Sequence, residues 1–422
     1  MSSFFSKLIR PEVAMQIMTL TSAKGLSNFL SAVSILIFTR FFSPENYGLL
    51  TIFTIMAAFG ASFATLKLES AIVAASTEKE AGSILSVVMI SCAAVGLLSA
   101  CIAVFYLTVF TKEQNFKVIF LSGLIGLQIF LTGSNIGVRH YLHRAEQISS
   151  IAKYDLGGVF CSILVIFLIG IIGGYKDVAL IIGVCVNHFV FNLMFLMKVP
   201  ARTLTACDPA NMKAQLQTLR NYPLYLIPSS LVSLLASQLH FLLLNAFVGK
   251  SVVGHLGVYT RVTGLAHRVI GQPVGSILRN KMAAQWRSGR VNRTAVLKTV
   301  TGLFAIGAGP TVLLMLWGPE LFVFVLGEQW GVSGEYAKIL APSFLFAFVV
   351  SPVSSLLLVT DKQKEVFVVQ GFFLILVIFG YSFHYFTGRF SVPTVLQTFV
   401  VSYVLKSTLE LWFVFKKAVN SV

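Results

Sequence analysis

The chain has 422 residues, of which 56% are hydrophobic and only 11% are charged. Soluble globular proteins carry about 25% charged residues, so this composition excludes a soluble protein and indicates a polytopic membrane protein. The net charge of +16 does not indicate nucleic-acid binding, because the basic residues lie mostly between apolar stretches, where anionic lipid and membrane topology account for them.

Apolar stretches of about 20 residues, the length that crosses a hydrocarbon core of about 30 Å, follow one another along the chain. We predict twelve transmembrane helices, over 16–39, 47–66, 83–110, 117–138, 155–174, 178–198, 222–247, 252–278, 295–317, 338–359, 364–386 and 393–415. An even number of spans places both termini on one side. Lys and Arg are concentrated at the termini and in the even-numbered loops, so both termini are predicted to be cytoplasmic.

The longest polar connection separates the first six spans from the last six. Its composition is typical of an amphipathic surface linker. We predict an N-terminal six-helix lobe over 1–200, a cytoplasmic linker over 201–220 and a C-terminal six-helix lobe over 221–422. A weak internal echo supports this division, since the turn from Phe42 to Gly48 has a counterpart from Phe247 to Gly254, about 205 residues later, as parallel repeats would have.

Polar residues recur three or four residues apart in several spans, which places them on one helix face. Two interpretations stay open for these rows: helix packing, in which hydroxyl groups bond back to the backbone, or the lining of a polar cavity. The predicted cavity-lining residues are Asn28, Ser31, Thr54, Thr65, Asn135, Ser233, Ser237, His240 and Gln272. In the fourth span the row of Asn135 also contains Gln128, Thr132 and Arg139.

Three basic residues, Lys24, Arg261 and Arg268, lie deep in predicted spans with no acidic residue one helical turn away. A cation at the middle of a bilayer costs about 2.5–3.5 kcal/mol, so unneutralised cations indicate a water-filled cavity that accepts an anion. The alternative for Arg261 and Arg268 is bonding to backbone carbonyls. Arg offers a planar fork of donors and Lys a point charge, which both suit phosphate oxygens. We therefore predict that these three residues bind a diphosphate.

The last span contains Lys406 and Glu410, four residues apart, which predicts a structural ion pair. A role for Glu410 in energy coupling is the alternative, and His267 is a second candidate for coupling because histidine titrates near neutral pH. The sequence does not choose between H+, Na+ and a downhill substrate gradient. No cysteine or histidine spacing is typical of a metal site, so no cofactor is expected.

Short segments carry a resemblance to a known family. They are Thr39 to Gly48, Leu68 to Ile72, Arg139 to Glu146, Val325 to Trp330 and Thr360 to Lys364. In this ordered set and in its twelve predicted spans, the chain resembles the polysaccharide transporter family, the Wzx type of lipid-linked oligosaccharide flippase. The superfamily also contains MATE-type multidrug exporters and the lipid II flippase, which usually has two further helices.

This resemblance implies an all-α membrane protein with two six-helix lobes in a V shape around a central cationic cavity. It implies a flippase rather than an enzyme, one that moves undecaprenyl-diphosphate-linked oligosaccharide across the bacterial inner membrane by alternating access. The glycan would serve O-antigen, capsule or exopolysaccharide assembly. The implied partners are this lipid-linked substrate, membrane lipid and other glycan-assembly proteins such as a polymerase.

Two other functions are weighed against the flippase. A MATE-like exporter of organic cations would need buried carboxylates, and apart from Glu410 and Asp155, at the edge of the fifth predicted span, the chain has almost none. A membrane polymerase or glycosyltransferase would be expected to have a large extramembrane loop or paired carboxylates for acid–base chemistry. The predicted outer loops are short, which disfavours an enzyme of this kind.

Overall fold

The computed structural model describes residues 11–106, 116–198, 219, 221–271, 274–275, 293–359 and 363–419. The regular structure of these residues is entirely helical. The long helices are α1 (Pro11–Phe38), α2 (Pro44–Ala64), α3 (Glu78–Tyr106), α4 (Phe116–Arg144), α5 (Ile148–Ile166), α6 (Lys176–Leu196), α7 (Asn221–Phe247), α8 (Lys250–Ala266), α9 (Arg293–Leu326), α10 (Gly331–Val359), α11 (Gln363–Phe386) and α12 (Val392–Phe413).

Shorter elements join or extend these helices. A six-residue helix, Glu69–Ala74, lies between α2 and α3, and a 3₁₀ turn, Glu328–Trp330, precedes α10. Three helices continue as π-helical segments, which are Phe167–Ile172 after α5, His267–Gly271 after α8 and Val414–Val419 after α12.

Ten helices in the described part of the chain are long and apolar enough to cross a membrane, judged by length and composition. The other long helices are α1, for which Lys24–Phe38 is the apolar part whose side chains are described, and α8, which has 17 residues before its π-helical segment. The chain is therefore a multi-pass membrane protein, as its composition indicates. The count of twelve spans stays a prediction.

Each predicted span overlaps one long helix in the predicted order, but several ends differ. The fifth span is predicted to begin at Asp155, whereas α5 begins at Ile148. The ninth is predicted to end at Trp317, whereas α9 continues to Leu326 through a kink at Trp317, where φ is −126° and ψ is 27°. Hydropathy marks where apolar residues begin and end, while backbone hydrogen bonding continues through polar turns and across this kink.

The chain divides into two compact units. Unit 1 comprises Met1–Ser34 and Phe53–Leu231, and unit 2 comprises Ile35–Ile52 and Val232–Val422. The three divisions fall inside α1, α2 and α7, and the turn between α1 and α2 belongs to unit 2. The predicted lobe boundaries stay a prediction, and the predicted linker over 201–220 lies outside the described residues except for Leu219.

Each unit has its own buried core. In unit 1 the short helix, α3 and α4 contribute aliphatic side chains such as Ile72, Leu85 and Leu142, and the Tyr154 and Phe191 rings meet edge to face with centroids 5.6 Å apart. In unit 2 the core side chains include Val296 of α9 and Leu356 of α10. These clusters fix the helices on which the polar side chains described below are mounted.

Two of the segments that carry the family resemblance contact each other in unit 2. Trp330 is fully buried, and its indole Nε1 donates a hydrogen bond of 2.8 Å to the Thr39 carbonyl, which also accepts a 2.6 Å bond from Gln329 Nε2. In the opposite direction, Arg40 Nη2 donates to the Phe324 and Val325 carbonyls at 3.4 and 3.3 Å. These carbonyls lie at helix ends, where intrahelical donors run out. We call this contact the α1–α9 latch.

The two turns of the predicted internal echo also pack on each other within unit 2. A Cβ atom added at Gly48 of α2 would overlap the Lys250 carbonyl, and one added at Gly254 of α8 would overlap the Pro44 carbonyl. Only residues without a side chain permit such a close approach of two helix backbones. The first turns of α2 and α8 are therefore in reciprocal contact.

Candidate functional site

Unit 1 contains a cluster of three charged side chains from three helices. Lys24 lies near the middle of α1, Arg139 lies in the last two turns of α4, and Asp155 lies on α5 about 10 Å from its first residue. Lys24 Nζ donates to Asp155 Oδ2 at 2.7 Å. Arg139 donates to both oxygens of the same carboxylate, through Nη2 to Oδ1 and through Nη1 to Oδ2.

The Arg139 guanidinium group has contacts beyond Asp155. Besides its two bonds to Asp155, it donates from Nε to Asn135 Oδ1 at 2.6 Å. Its Cζ atom lies 4.2 Å from the centroid of the Phe191 ring, a cation–π contact. The polar row predicted on α4 thus consists of side chains that bond to one another in pairs. The first pair is Arg139 with Asn135, and the second is Gln128, whose Nε2 donates to Thr132 Oγ1 at 3.0 Å.

The expectation that Lys24 lacks an acidic neighbour is wrong. The carboxylate is not one turn away on α1 but comes from α5, 131 residues later in the chain. Asp155 lies inside α5 rather than at the edge of the predicted span, because the polar first turns of α5 are helical. Asp155 and Arg139 are therefore the polar residues of this cluster that sequence reasoning left out of its site.

Unit 2 contains the second cationic group, on α8. Arg261 Nη1 donates to Thr51 Oγ1 of α2 at 3.1 Å and to the Gly257 carbonyl at 3.0 Å. Its Cζ atom lies 5.8 Å from the centroid of the Tyr47 ring. Gly257 leaves the room for this arrangement, because a Cβ atom there would overlap Thr51 Oγ1 and come within 3.0 Å of Arg261 Nη1.

Arg261 has no carboxylate within ion-pair distance in the part of the chain that the structure describes. The same holds, among the described residues, for Arg268, which is exposed in the π-helical segment after α8. His267, beside it, is half-buried and its Nε2 lies 3.5 Å from Ser351 Oγ. Gln272, predicted in the same row, lies outside the described residues.

The predicted cavity-lining residues have varied surroundings. Asn28 and Ser31 share α1 with Lys24, and the Ser31 hydroxyl donates to the Ser27 carbonyl at 2.8 Å. On α7, the Ser237 hydroxyl donates to the Ser233 carbonyl at 2.9 Å. Both bonds are those of the packing interpretation, and each hydroxyl oxygen retains its capacity to accept a hydrogen bond.

Other members of that set lie deeper in their own unit. Thr65, Asn135 and His240 are buried, whereas Thr54 is half-buried. The His240 ring lies 4.3 Å, centroid to centroid, from the rings of both Phe241 and Phe399. Asn135, one of these lining residues, accepts a hydrogen bond from Arg139 of the unit 1 cluster.

The predicted ion pair in α12 is confirmed. Lys406 Nζ lies 2.6 Å from Glu410 Oε2, and both side chains are buried. A role for Glu410 or His267 in coupling stays a prediction. No group of three or more metal-ligating side chains occurs among the residues that the structure describes.

Comparison with known proteins gives a family and a fold. Residues 37–335 match the model of a family described as polysaccharide biosynthesis protein. None of the curated proteins compared with the sequence matches it.

Several solved structures are similar over most of their length. An inward-facing multidrug resistance MATE family transporter of the MOP superfamily has a TM-score of 0.67 at 15% identity, over 91% of this chain and 93% of its own. The lipid II flippase MurJ, in an inward closed conformation, also has a TM-score of 0.67 at 15% identity, over 94% and 88% of the two chains. A MOP superfamily transporter from Pyrococcus furiosus Vc1 has a TM-score of 0.56 at 14% identity, over 94% of each chain. These likenesses confirm the predicted MATE-like fold.

Proposed function

The chain belongs to the polysaccharide biosynthesis protein family, and from this premise we propose that it is a flippase for undecaprenyl-diphosphate-linked oligosaccharide repeat units. In this proposal it moves the headgroup across the bacterial inner membrane by alternating access while the polyprenyl tail stays in lipid. Both termini are cytoplasmic. The glycan serves O-antigen, capsule or exopolysaccharide assembly, and a polymerase is a proposed partner. The transporter fold supports this function and disfavours an enzyme.

The proposal is supported chiefly by the hydrogen bonding and the charge environment of Arg261. Two bonds from Nη1, to Thr51 and to the Gly257 carbonyl, hold the guanidinium in place. Within the described residues, Nε and Nη2 make no hydrogen bond, and no carboxylate neutralises the charge. An anchored guanidinium with the three N–H donors of Nε and Nη2 left over presents the fork that phosphate oxygens accept.

Arg268 supplies a second cation, in the π-helical segment that continues α8. It is seven residues beyond Arg261, about 10 Å along a helix. A diphosphate carries its charge on two linked phosphorus centres, so its second phosphate is the proposed ligand of Arg268. The two arginines supply neutralisation of the kind that a bound divalent ion otherwise gives.

No contact among the described residues favours the alternative function, export of organic cations. The buried carboxylates of the described residues each have a lysine nearby: Asp155 and Glu410 lie within 3 Å of a lysine amine, and Glu69 Oε1 lies 3.8 Å from Lys67 Nζ. An organic cation would have to displace the lysine from such a carboxylate. The described contacts therefore favour an anionic substrate.

The test is replacement of Arg261 in cells and in vesicles. Arg261→Ala should abolish surface glycan assembly in a strain that lacks the native protein, and should lower translocation of a polyprenyl-diphosphate-linked oligosaccharide in proteoliposomes by about 100-fold. Arg261→Lys should retain part of the rate, because it keeps the charge and loses the fork.

Arg389→Ala is the matched control, since Arg389 is an exposed arginine of unit 2. Membrane abundance of each variant is measured in parallel. Full complementation by Arg261→Ala at normal abundance would rule out the assignment of Arg261, and export of organic cations by the wild-type protein would reverse the choice of substrate.

A further inference from the structure

The cluster in unit 1 differs from a simple anion site because it contains its own anion. Lys24 and Arg139 carry two positive charges and Asp155 one negative charge, so the cluster keeps a net charge of about +1 at neutral pH. Asp155 Oδ2 accepts from both cations, at 2.7 Å from Lys24 Nζ and 3.3 Å from Arg139 Nη1. The carboxylate thus occupies the position between the two cations that an external anion would need.

The two cations are bound to Asp155 in different ways. Arg139 has further bonds to Asn135 and a cation–π contact with Phe191, whereas the described contacts of Lys24 Nζ consist of its one bond to Asp155. The Lys24 side chain is 47% exposed, compared with 31% for Arg139 and 10% for Asp155. Arg139 is therefore the fixed partner of the carboxylate and Lys24 the accessible one.

Departure of Lys24 would not leave Asp155 unneutralised. Arg139 binds both carboxylate oxygens, and such bidentate pairs are among the strongest hydrogen-bonded ion pairs in proteins. The Lys24 bond is a half-exposed ion pair, the kind that solvent weakens most. Exchange of the Lys24 partner is thus easier than exchange of the Arg139 partner.

We propose that Asp155 is a built-in counter-anion that holds Lys24 until a phosphate group of the substrate takes its place, so that Asp155 is a positioning residue for anion selection. The proposal rests on the proposed flippase function for its substrate. A diphosphate has more than one negative charge to offer Lys24, whereas the phosphodiester of an ordinary anionic lipid has one. Competition with Asp155 therefore selects the diphosphate over bulk lipid.

The test measures anion binding directly. The full-length protein is placed in nanodiscs, and farnesyl diphosphate is titrated into discs of phosphatidylcholine alone and into discs that also contain phosphatidylglycerol. In wild-type protein, phosphatidylglycerol should change the affinity little. Asp155→Asn should bind farnesyl diphosphate about tenfold more tightly, and phosphatidylglycerol should now compete strongly. Lys24→Met should lose most of the binding contributed by this cluster.

A double variant separates the counter-anion from net charge. Arg139→Gln with Asp155→Asn leaves Lys24 as the one charge, so the cluster keeps its wild-type net charge while losing the carboxylate. If Asp155 acts as a competitor, this double variant binds more tightly than the wild-type protein, although the net charge of the cluster is the same. If it returns to the wild-type affinity, net charge alone explains the effect and the proposal is wrong. Because it has neither an unpaired acid nor an arginine that has lost its carboxylate, it also serves if Asp155→Asn fails to fold.

Matched controls lie at the start of α6, where Lys176 and Asp177 are exposed. Lys176→Met and Asp177→Asn make the same chemical changes away from the cluster and should leave binding unchanged. Weaker or equal binding by Asp155→Asn overturns the proposal. The Arg261 experiment decides the flippase function independently, since binding of farnesyl diphosphate in nanodiscs requires no translocation.

Discussion

The two cationic groups of this protein differ in where their counter-charge comes from. In unit 1, Asp155 of α5 neutralises part of the charge of Lys24 and Arg139. In unit 2, Arg261 is steadied by a threonine hydroxyl and a backbone carbonyl, and no carboxylate neutralises it among the described residues. The first group is a cation site with an internal competitor, and the second is a cation site without one.

This difference shows that depth in a helix does not decide whether a cation is available to a ligand. Lys24 and Arg261 look alike in the sequence, as single basic residues in apolar surroundings. Their availability is set by a side chain on another helix, Asp155 in one case and Thr51 in the other. The comparison can be tested by making the second group resemble the first.

The largest expected effect comes from giving Arg261 a carboxylate. Thr51→Asp places an acid at the hydroxyl that now lies 3.1 Å from Arg261 Nη1. A charge-assisted bond of about 1.5–3 kcal/mol would then compete with the substrate, so the translocation rate in proteoliposomes should fall by about 10- to 100-fold. Thr51→Val removes the anchor without adding charge and should cost about threefold. Equal losses in the two variants would show that neutralisation is not the cause.

An intermediate effect separates the two partners of Asp155. Arg139→Met should lower the free energy of unfolding by about 2–3 kcal/mol, less than the 3–5 kcal/mol of a fully buried pair because Arg139 is partly exposed. Lys24→Met should cost about 0–1 kcal/mol, as half-exposed ion pairs do. Thermal unfolding in detergent measures both. Addition of Asp155→Asn should restore stability to Arg139→Met, and equal costs of the two single variants would contradict the assignment of Arg139 as the fixed partner.

The smallest effect concerns the α1–α9 latch beside the second group. Trp330→Phe removes the indole donor, but the Thr39 carbonyl keeps its bond from Gln329, so the loss of unfolding free energy should be about 1 kcal/mol. Binding of farnesyl diphosphate should stay within about twofold. A larger change in binding would mean that the Trp330 ring, 5.3 Å from that of Tyr47, helps to position Arg261.

Much of the fold follows from local patterns in the sequence. The order of the helices follows from apolar length, the Lys406–Glu410 pair from a spacing of four, and the bonded row of Gln128, Thr132, Asn135 and Arg139 from helical periodicity. Each of these features is encoded within a single helix: the length of each apolar stretch, and the spacing of side chains on a face, which is fixed by the 3.6-residue repeat.

The rest depends on contacts between distant parts of the chain. The Lys24–Asp155 bond joins residues 131 apart, and the bond from Trp330 to Thr39 joins residues 291 apart. No periodicity encodes such a pairing, because it is set by which helices pack together and at what height. The family resemblance includes the two segments that form the α1–α9 latch, Thr39 to Gly48 and Val325 to Trp330. It could not indicate that these segments are in contact.

Unit 2 is formed by two separate segments of the chain, which determines when it can fold during synthesis. Its segment Ile35–Ile52 is synthesised first, while the α8 turn with which Gly48 makes backbone contact is about 200 residues away along the chain. At about 5–20 residues per second, that interval lasts about 10–40 s. Through this interval the ends of α1 and α2 are in the membrane without their partners, so unit 2 cannot be completed until late in translation. Unit 1, whose second segment begins inside α2 at Phe53, has a shorter delay, since Asp155 follows Lys24 by 131 residues.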